Sequence, residues 1–61
     1  MEVKFICNEG YLVLQRHVGC VPEIEDRVSV LDDLYVVTDR VFTFRPNEKD
    51  DEVRVYLDKI S

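Results

Sequence analysis

Histidine occurs once in this 61-residue chain, and glycine, proline and cysteine occur twice each. With Gly10, Gly19, Pro22 and Pro46 as its only such punctuation, no stretch is rich enough in glycine or serine to be a linker. The punctuation marks turns, and residues 1–61 read as one small domain. Cys7 and Cys20 allow at most one disulfide, and nothing supports an oxidising compartment, so two buried, reduced thiols are expected. With His17 they supply three possible zinc ligands. A closed structural site wants four at tighter spacing, so no metal and no other cofactor is expected. Asp50-Asp51-Glu52 lacks the alternating order and the glycine of a calcium loop. A phosphate loop, a nucleophile elbow and a zinc-protease motif are all missing. His17 and Cys20, three residues apart on a turn or strand, need not face each other and have no visible orienting group. No catalytic residue is assigned, and the chain is not expected to be an enzyme. Positive charge is also scarce. Eight Lys and Arg against thirteen Asp and Glu leave a net charge of −5, which repels a phosphate backbone unless the cations gather on one face. The N-terminal apolar run Phe5-Ile6-Cys7 is too short for a signal peptide or a membrane span, so a cytoplasmic location without a membrane partner is expected.

What is present is enough to fold. Apolar residues make up 46% of the chain and charged residues 34%, more apolar material than disordered sequences carry. A chain of this length buries only about 60% of the surface its unfolded form exposes. Ordering costs roughly 1–2 kcal/mol per residue, so nearly every Val, Leu, Ile and Phe is expected inside.

The periodicity is mostly two. Val53, Val55 and Leu57 alternate with Arg54, Tyr56 and Asp58, which predicts a half-buried strand with Val55 at the centre of the core. From Leu34 to Phe44 the chain is rich in β-formers, but Tyr35, Val37 and Val41 share one parity while Phe42 and Phe44 share the other. The buried face must therefore switch, and a bulge or bend near Asp39 or Arg40 would switch it. The polar stretch from Arg45 to Glu52 reads as a hairpin loop. Val28 and Val30 alternate with Arg27 and Ser29, and Asp32-Asp33 gives a tight connection into the long strand. Val3–Ile6, a turn at Asn8-Glu9-Gly10 and Tyr11–Gln15 form another hairpin. The fold class is thus all-β, a small, strongly bent, five-stranded barrel. The alternative is an α+β fold with a helix over 23–34, because Pro22 suits a first helical turn and Ile24, Val28 and Leu31 fall at helical spacing.

The string Val21-Pro22-Glu23-Ile24-Glu25-Asp26-Arg27-Val28-Ser29-Val30 resembles the entry turn of SH3-like small barrels, where Pro-x-Ile-x-Asp-x-Val-x-Val leads into a strand. Tyr35-Val36-Val37, the polar loop and Val53-Arg54-Val55-Tyr56-Leu57 resemble the later strands of that class, so the likeness covers about residues 21–59. Where such barrels usually have Gly this chain has Glu25, which bears on how tight that turn is. The whole is also similar to short, uncharacterised bacterial and phage-borne proteins. The resemblance implies a fold and not an activity.

Two functional readings follow. The first is a non-catalytic protein-interaction module, an accessory protein that binds another protein through a sheet edge or through a tyrosine-bearing surface of Tyr11 and Tyr56 with Arg54. The second is a nucleic-acid-associated barrel, which requires Arg16, Arg27, Arg40, Arg45 and Arg54 to converge on one face. A variant of the first reads the acidic clusters at 23–26, 32–33 and 50–52 as a mimic of nucleic-acid charge. The plainer reading of those clusters is solvated turns.

Overall fold

The computed structural model describes residues 2–60, and among them the chain is all β: β1 (Glu2–Cys7), β2 (Leu12–His17), β3 (Arg27–Val30), β4 (Asp33–Thr43) and β5 (Glu52–Lys59), with a single 3-10 turn at Glu48–Asp50. The strands form one mixed sheet in the order β2-β1-β5-β4-β3, curled into a half-barrel. Its neighbours pair antiparallel except β1 and β5, which run parallel at the centre, Val3 beside Val53 through Cys7 beside Leu57. This is the small, strongly bent, five-stranded all-β fold expected from the sequence, with β2 and β3 as the two edges of the curled sheet.

Each strand follows its pattern. On β5 the odd positions Val53, Val55 and Leu57 are buried, and on β1 Val3, Phe5 and Cys7 lie opposite them. Tyr35 and Val37 of β4 complete the buried cluster, all of it on the inward face. On β2 the register with β1 slips so that Val13 has no direct partner between Leu12 and Leu14. This lets two successive residues, Val13 and Leu14, both pack against the core. The connection from β2 to β3 runs from one edge of the sheet to the other and lays Val18 and Val21 on the same cluster.

The helix over 23–34 does not form. Residues 23–26 make a tight turn, with the Asp26 amide donating to the Glu23 carbonyl (3.1 Å) and the Asp26 carboxylate accepting from the Glu23 amide (2.8 Å). The next residues join the sheet, where Arg27–Val30 pair with Val36–Asp33. The β-branched Val28 and Val30 outweigh the helical spacing, favouring a strand from which both pack against the core. Glu25, the residue standing where the resembled barrels have glycine, takes φ 76°, and Leu31 at the β3–β4 hairpin takes φ 55°. Both lie in the left-handed region that non-glycine residues disfavour. At Gly10, in the β1–β2 hairpin, φ is 103° and a glycine meets the same demand without strain.

Two expectations need correction. Cys7 is buried but Cys20 is exposed, because Cys20 lies in the open β2–β3 connection. Many apolar side chains also stay outside: Leu12, Ile24, Leu31, Phe42 and Phe44 are all exposed. An open half-barrel covers only part of its inward face, so the core stops short of the apolar residues available.

Candidate functional site

The face switch in β4 occurs at Thr38. Val37 pairs with Leu57 and Asp39 with Tyr56, leaving Thr38 as the extra residue of a bulge. Its hydroxyl donates to the Tyr56 carbonyl (3.2 Å) and accepts from Asn8 Nδ2 (3.0 Å), which also donates to Asp58 Oδ1 (2.6 Å). The bulge is thus tied to β5 and to the β1–β2 turn. Thr38→Val keeps the shape and removes the hydroxyl, and is expected to cost about 1 kcal/mol in a denaturant melt. An unchanged midpoint would mean that the bulge holds without that network.

Beyond the bulge, Arg40 pairs with Val55 and Phe42 with Val53, so Arg40 and Phe42 share the inward face with the core, and Val41, paired with Arg54, is turned outward. Here the cover of the β2–β3 connection ends. Phe42 is 41% exposed and Phe44 75% exposed. Their rings stack, with centroids 6.5 Å apart and planes 15° apart. The Arg40 guanidinium sits 5.6 Å from the Phe42 centroid, a cation–π distance, and donates to the Pro22 carbonyl at 3.4 Å. Aromatic residues and Arg are the types enriched in the cores of protein interfaces. The sequence signal was the broken parity at Phe42 and Phe44; that the pair ends outside the core could not be read without knowing where the cover stops.

The tyrosine surface is divided. Tyr56 pairs with Ile6 and Asp39 on the outward face, next to Arg54, whose pKa is raised first by its hydrogen bond with the Tyr56 phenol and then by Glu52. Tyr11 instead reaches Cys7 of the inward face, and that contact with the thiol is the main reason its phenol pKa is raised. Tyr56 and Arg54 are brought together, and Tyr11 is not with them. The arginines do not converge either. Arg54 faces outward, Arg40 faces inward on β4, and Arg16 pairs with Val3 at the far edge of the sheet, with β1 and β5 between β2 and β4.

The outward face carries an ion ladder. Glu52 Oε1 lies 2.7 Å from Lys4 Nζ and 3.5 Å from Arg54 Nε, and Lys4 chiefly holds its carboxyl below the ordinary glutamate pKa. Glu2 accepts from Gln15 (2.6 Å) and meets His17 Nδ1 (2.8 Å), and these two contacts, Gln15 first, lower its pKa too. Both folded values lie below the unfolded ones. Their stabilisation is therefore complete above the ordinary glutamate pKa and is lost as pH falls through the depressed values. Thermal melts should show a midpoint that drops over this acidic window, and the Glu2→Gln/Glu52→Gln variant should show a shallower drop. An equally steep drop would assign the acid sensitivity to other carboxylates.

His17 and Glu2 also line an open groove of about 520 Å³ with Glu48, Lys49 and Asp51. Among the described residues no three His, Cys, Asp or Glu side chains are placed to share a metal ion. Among them also, no helix is long and apolar enough to cross a membrane. No family model, no curated protein and no solved structure matches the chain. On the surface of the described residues Phe42 and Phe44 form an exposed, stacked aromatic pair.

Proposed function

We propose that this half-barrel is a non-catalytic protein-binding module of the SH3-like kind, docking its partner on Phe42, Phe44 and Arg40 at the end of β4. One observation carries the reading: two stacked phenyl rings, one of them 75% exposed, extend the inward face past the point where the chain covers it. Their exposed parts forgo a share of the roughly 1.5–3 kcal/mol that full burial of such a side chain is worth, in a chain with little stability to spare. The split arginines and the net charge of −5 favour a protein partner over nucleic acid. An accessory role follows, with recognition and no chemistry.

The test uses the folded protein as bait in its native host. Phe42→Ser/Phe44→Ser, with circular dichroism confirming an intact β spectrum, is expected to lose the captured partner, whereas Tyr56→Ala retains it. Capture that survives the double change and is lost with Tyr56→Ala would move the surface to the outward face.

A further inference from the structure

The aromatic pair lies along a stretch of β4 that has a neighbour on one side only. β4 runs for eleven residues, but β3 spans four and pairs with Val36–Asp33. The turn adds a last contact at Val37, whose amide donates to the Asp26 carbonyl (2.9 Å) and whose carbonyl accepts from Glu25 (2.8 Å). From Asp39 to Thr43 the strand pairs with β5 alone among the described strands.

The direction of the backbone groups can be followed through the bulge. Val37 turns its amide and carbonyl toward β3, and Leu34, of opposite parity, turns its carbonyl the other way to accept from Ile60 (2.8 Å). Alternate residues of a strand share a direction, and the extra residue Thr38 shifts the alternation by one. Arg40 and Phe42 are thereby the residues whose amides and carbonyls point away from β5. The Arg40 amide bears this out by donating to the Asp39 carboxylate (2.8 Å), a local partner standing where a strand would be. The same two residues carry their side chains on the inward face, so a strand laid here would set alternate side chains beside Phe42 and Phe44.

Charge decides what that strand is. One end of the open edge is the turn with exposed Glu23, Glu25 and Asp26, and Asp39 stands at the edge itself. A second copy of this chain laid edge to edge in parallel would set this acidic turn and Asp39 against their own counterparts, and in either direction each copy brings a charge of −5. A basic segment is attracted where a second copy is repelled, so charge complementarity selects the basic segment as the occupant.

We infer that the partner docks by strand addition: a short extended segment, apolar at alternate positions and flanked by Lys or Arg, pairs with the Arg40 and Phe42 backbone while its basic flank at the Arg40 end meets the 23–26 turn and Asp39. This rests on the proposed protein-binding role and specifies its ligand. Main-chain hydrogen bonds supply affinity, alternate side chains against Phe42 and Phe44 supply selectivity, and the basic flanks fix orientation and partner choice.

The probe is an acetylated, amidated peptide of alternating valine and threonine with two lysines at each end, titrated into isotope-labelled full chain and followed by amide NMR. The Arg40 and Phe42 amides are expected to shift and to gain protection from hydrogen exchange. Glutamates in place of the lysines should weaken binding about tenfold or more. N-methylation of the amides on one edge of the peptide should abolish binding, while methylation of the other edge leaves it within about twofold. Raising salt should weaken it. The inference is overturned by no shifts at millimolar peptide, by shifts mapping away from β4, by equal binding of the glutamate peptide, or by equal tolerance of both methylation patterns. It is overturned too by protection of the same amides on raising protein concentration alone, which makes a second copy the occupant. Failure here with loss of host capture in Phe42→Ser/Phe44→Ser leaves the aromatic surface standing and removes strand addition. Peptide binding at β4 with capture unaffected by that change removes the aromatic surface instead.

Discussion

Leu57→Ala is expected to leave the protein largely unfolded, and Val55→Ala to lower its stability by about 1–3 kcal/mol. Both side chains are fully enclosed, at 0% exposure, on β5, the middle strand of the sheet. Val55 pairs with Phe5 of β1 and Arg40 of β4, and Leu57 with Cys7 and Val37. A hole at either position is bordered by three strands that cannot all move inward, so it collapses only in part. Truncating a buried leucine costs about 2–5 kcal/mol, comparable to the whole stability of roughly 3–5 kcal/mol that a domain this small musters. Tyr56→Ala, one residue along and facing outward, should cost less than Val55→Ala in the same denaturant melts. The reverse order would assign the wrong face to β5 and, with it, to every strand paired with it.

The second large effect has the opposite sign. Glu25→Gly and Leu31→Gly should each stabilise the protein by about 0.5–1 kcal/mol, and together by about 1–2 kcal/mol. At φ 76° and 55° both backbones sit where an L side chain is strained by roughly 1–2 kcal/mol. Glycine relieves that strain and gives back part of the gain through its freer unfolded chain. Neither side chain repays the strain by packing, since Glu25 is exposed and Leu31 is 95% exposed. The double variant should melt some 4–8 °C higher for each kcal/mol gained. A lower midpoint would mean that these side chains make contributions their exposure conceals.

How far the chain could be read follows from which residues carry local information. The strand at 53–57 was legible because alternation is a property of neighbouring residues, and Val53, Val55 and Leu57 are buried as their spacing implies. Tyr35, assigned with Val37 to the core, is there. The parity break in β4 placed the bulge within a residue or two of Thr38. The parallel contact of β1 with β5 was not legible, since alternation specifies a face and says nothing about which strand lies alongside or in which direction. The exposed Phe42–Phe44 pair was missed for a related reason: their parity puts them on the buried face, and only the path of residues 18–26 determines that the face is uncovered there. Of the residues weighed for binding, Tyr56 and Arg54 adjoin because they are two apart on one strand, whereas Tyr11 was beyond local rules, its neighbour Cys7 lying across a hairpin.

The parallel pairing at the centre of the sheet governs how the protein reaches its fold. Val3 and Val53 are fifty positions apart, and so are each of the other pairs down to Cys7 and Leu57. The two hairpins, β1–β2 and β3–β4, can form from neighbouring sequence within microseconds, but each alone is a marginal two-stranded ribbon. They share no strand pairing until β5 joins β1 to β4. High contact order of this sort slows folding. During synthesis β1 to β4 have no sheet centre to condense on, and their cooperative structure is born only when β5 is made.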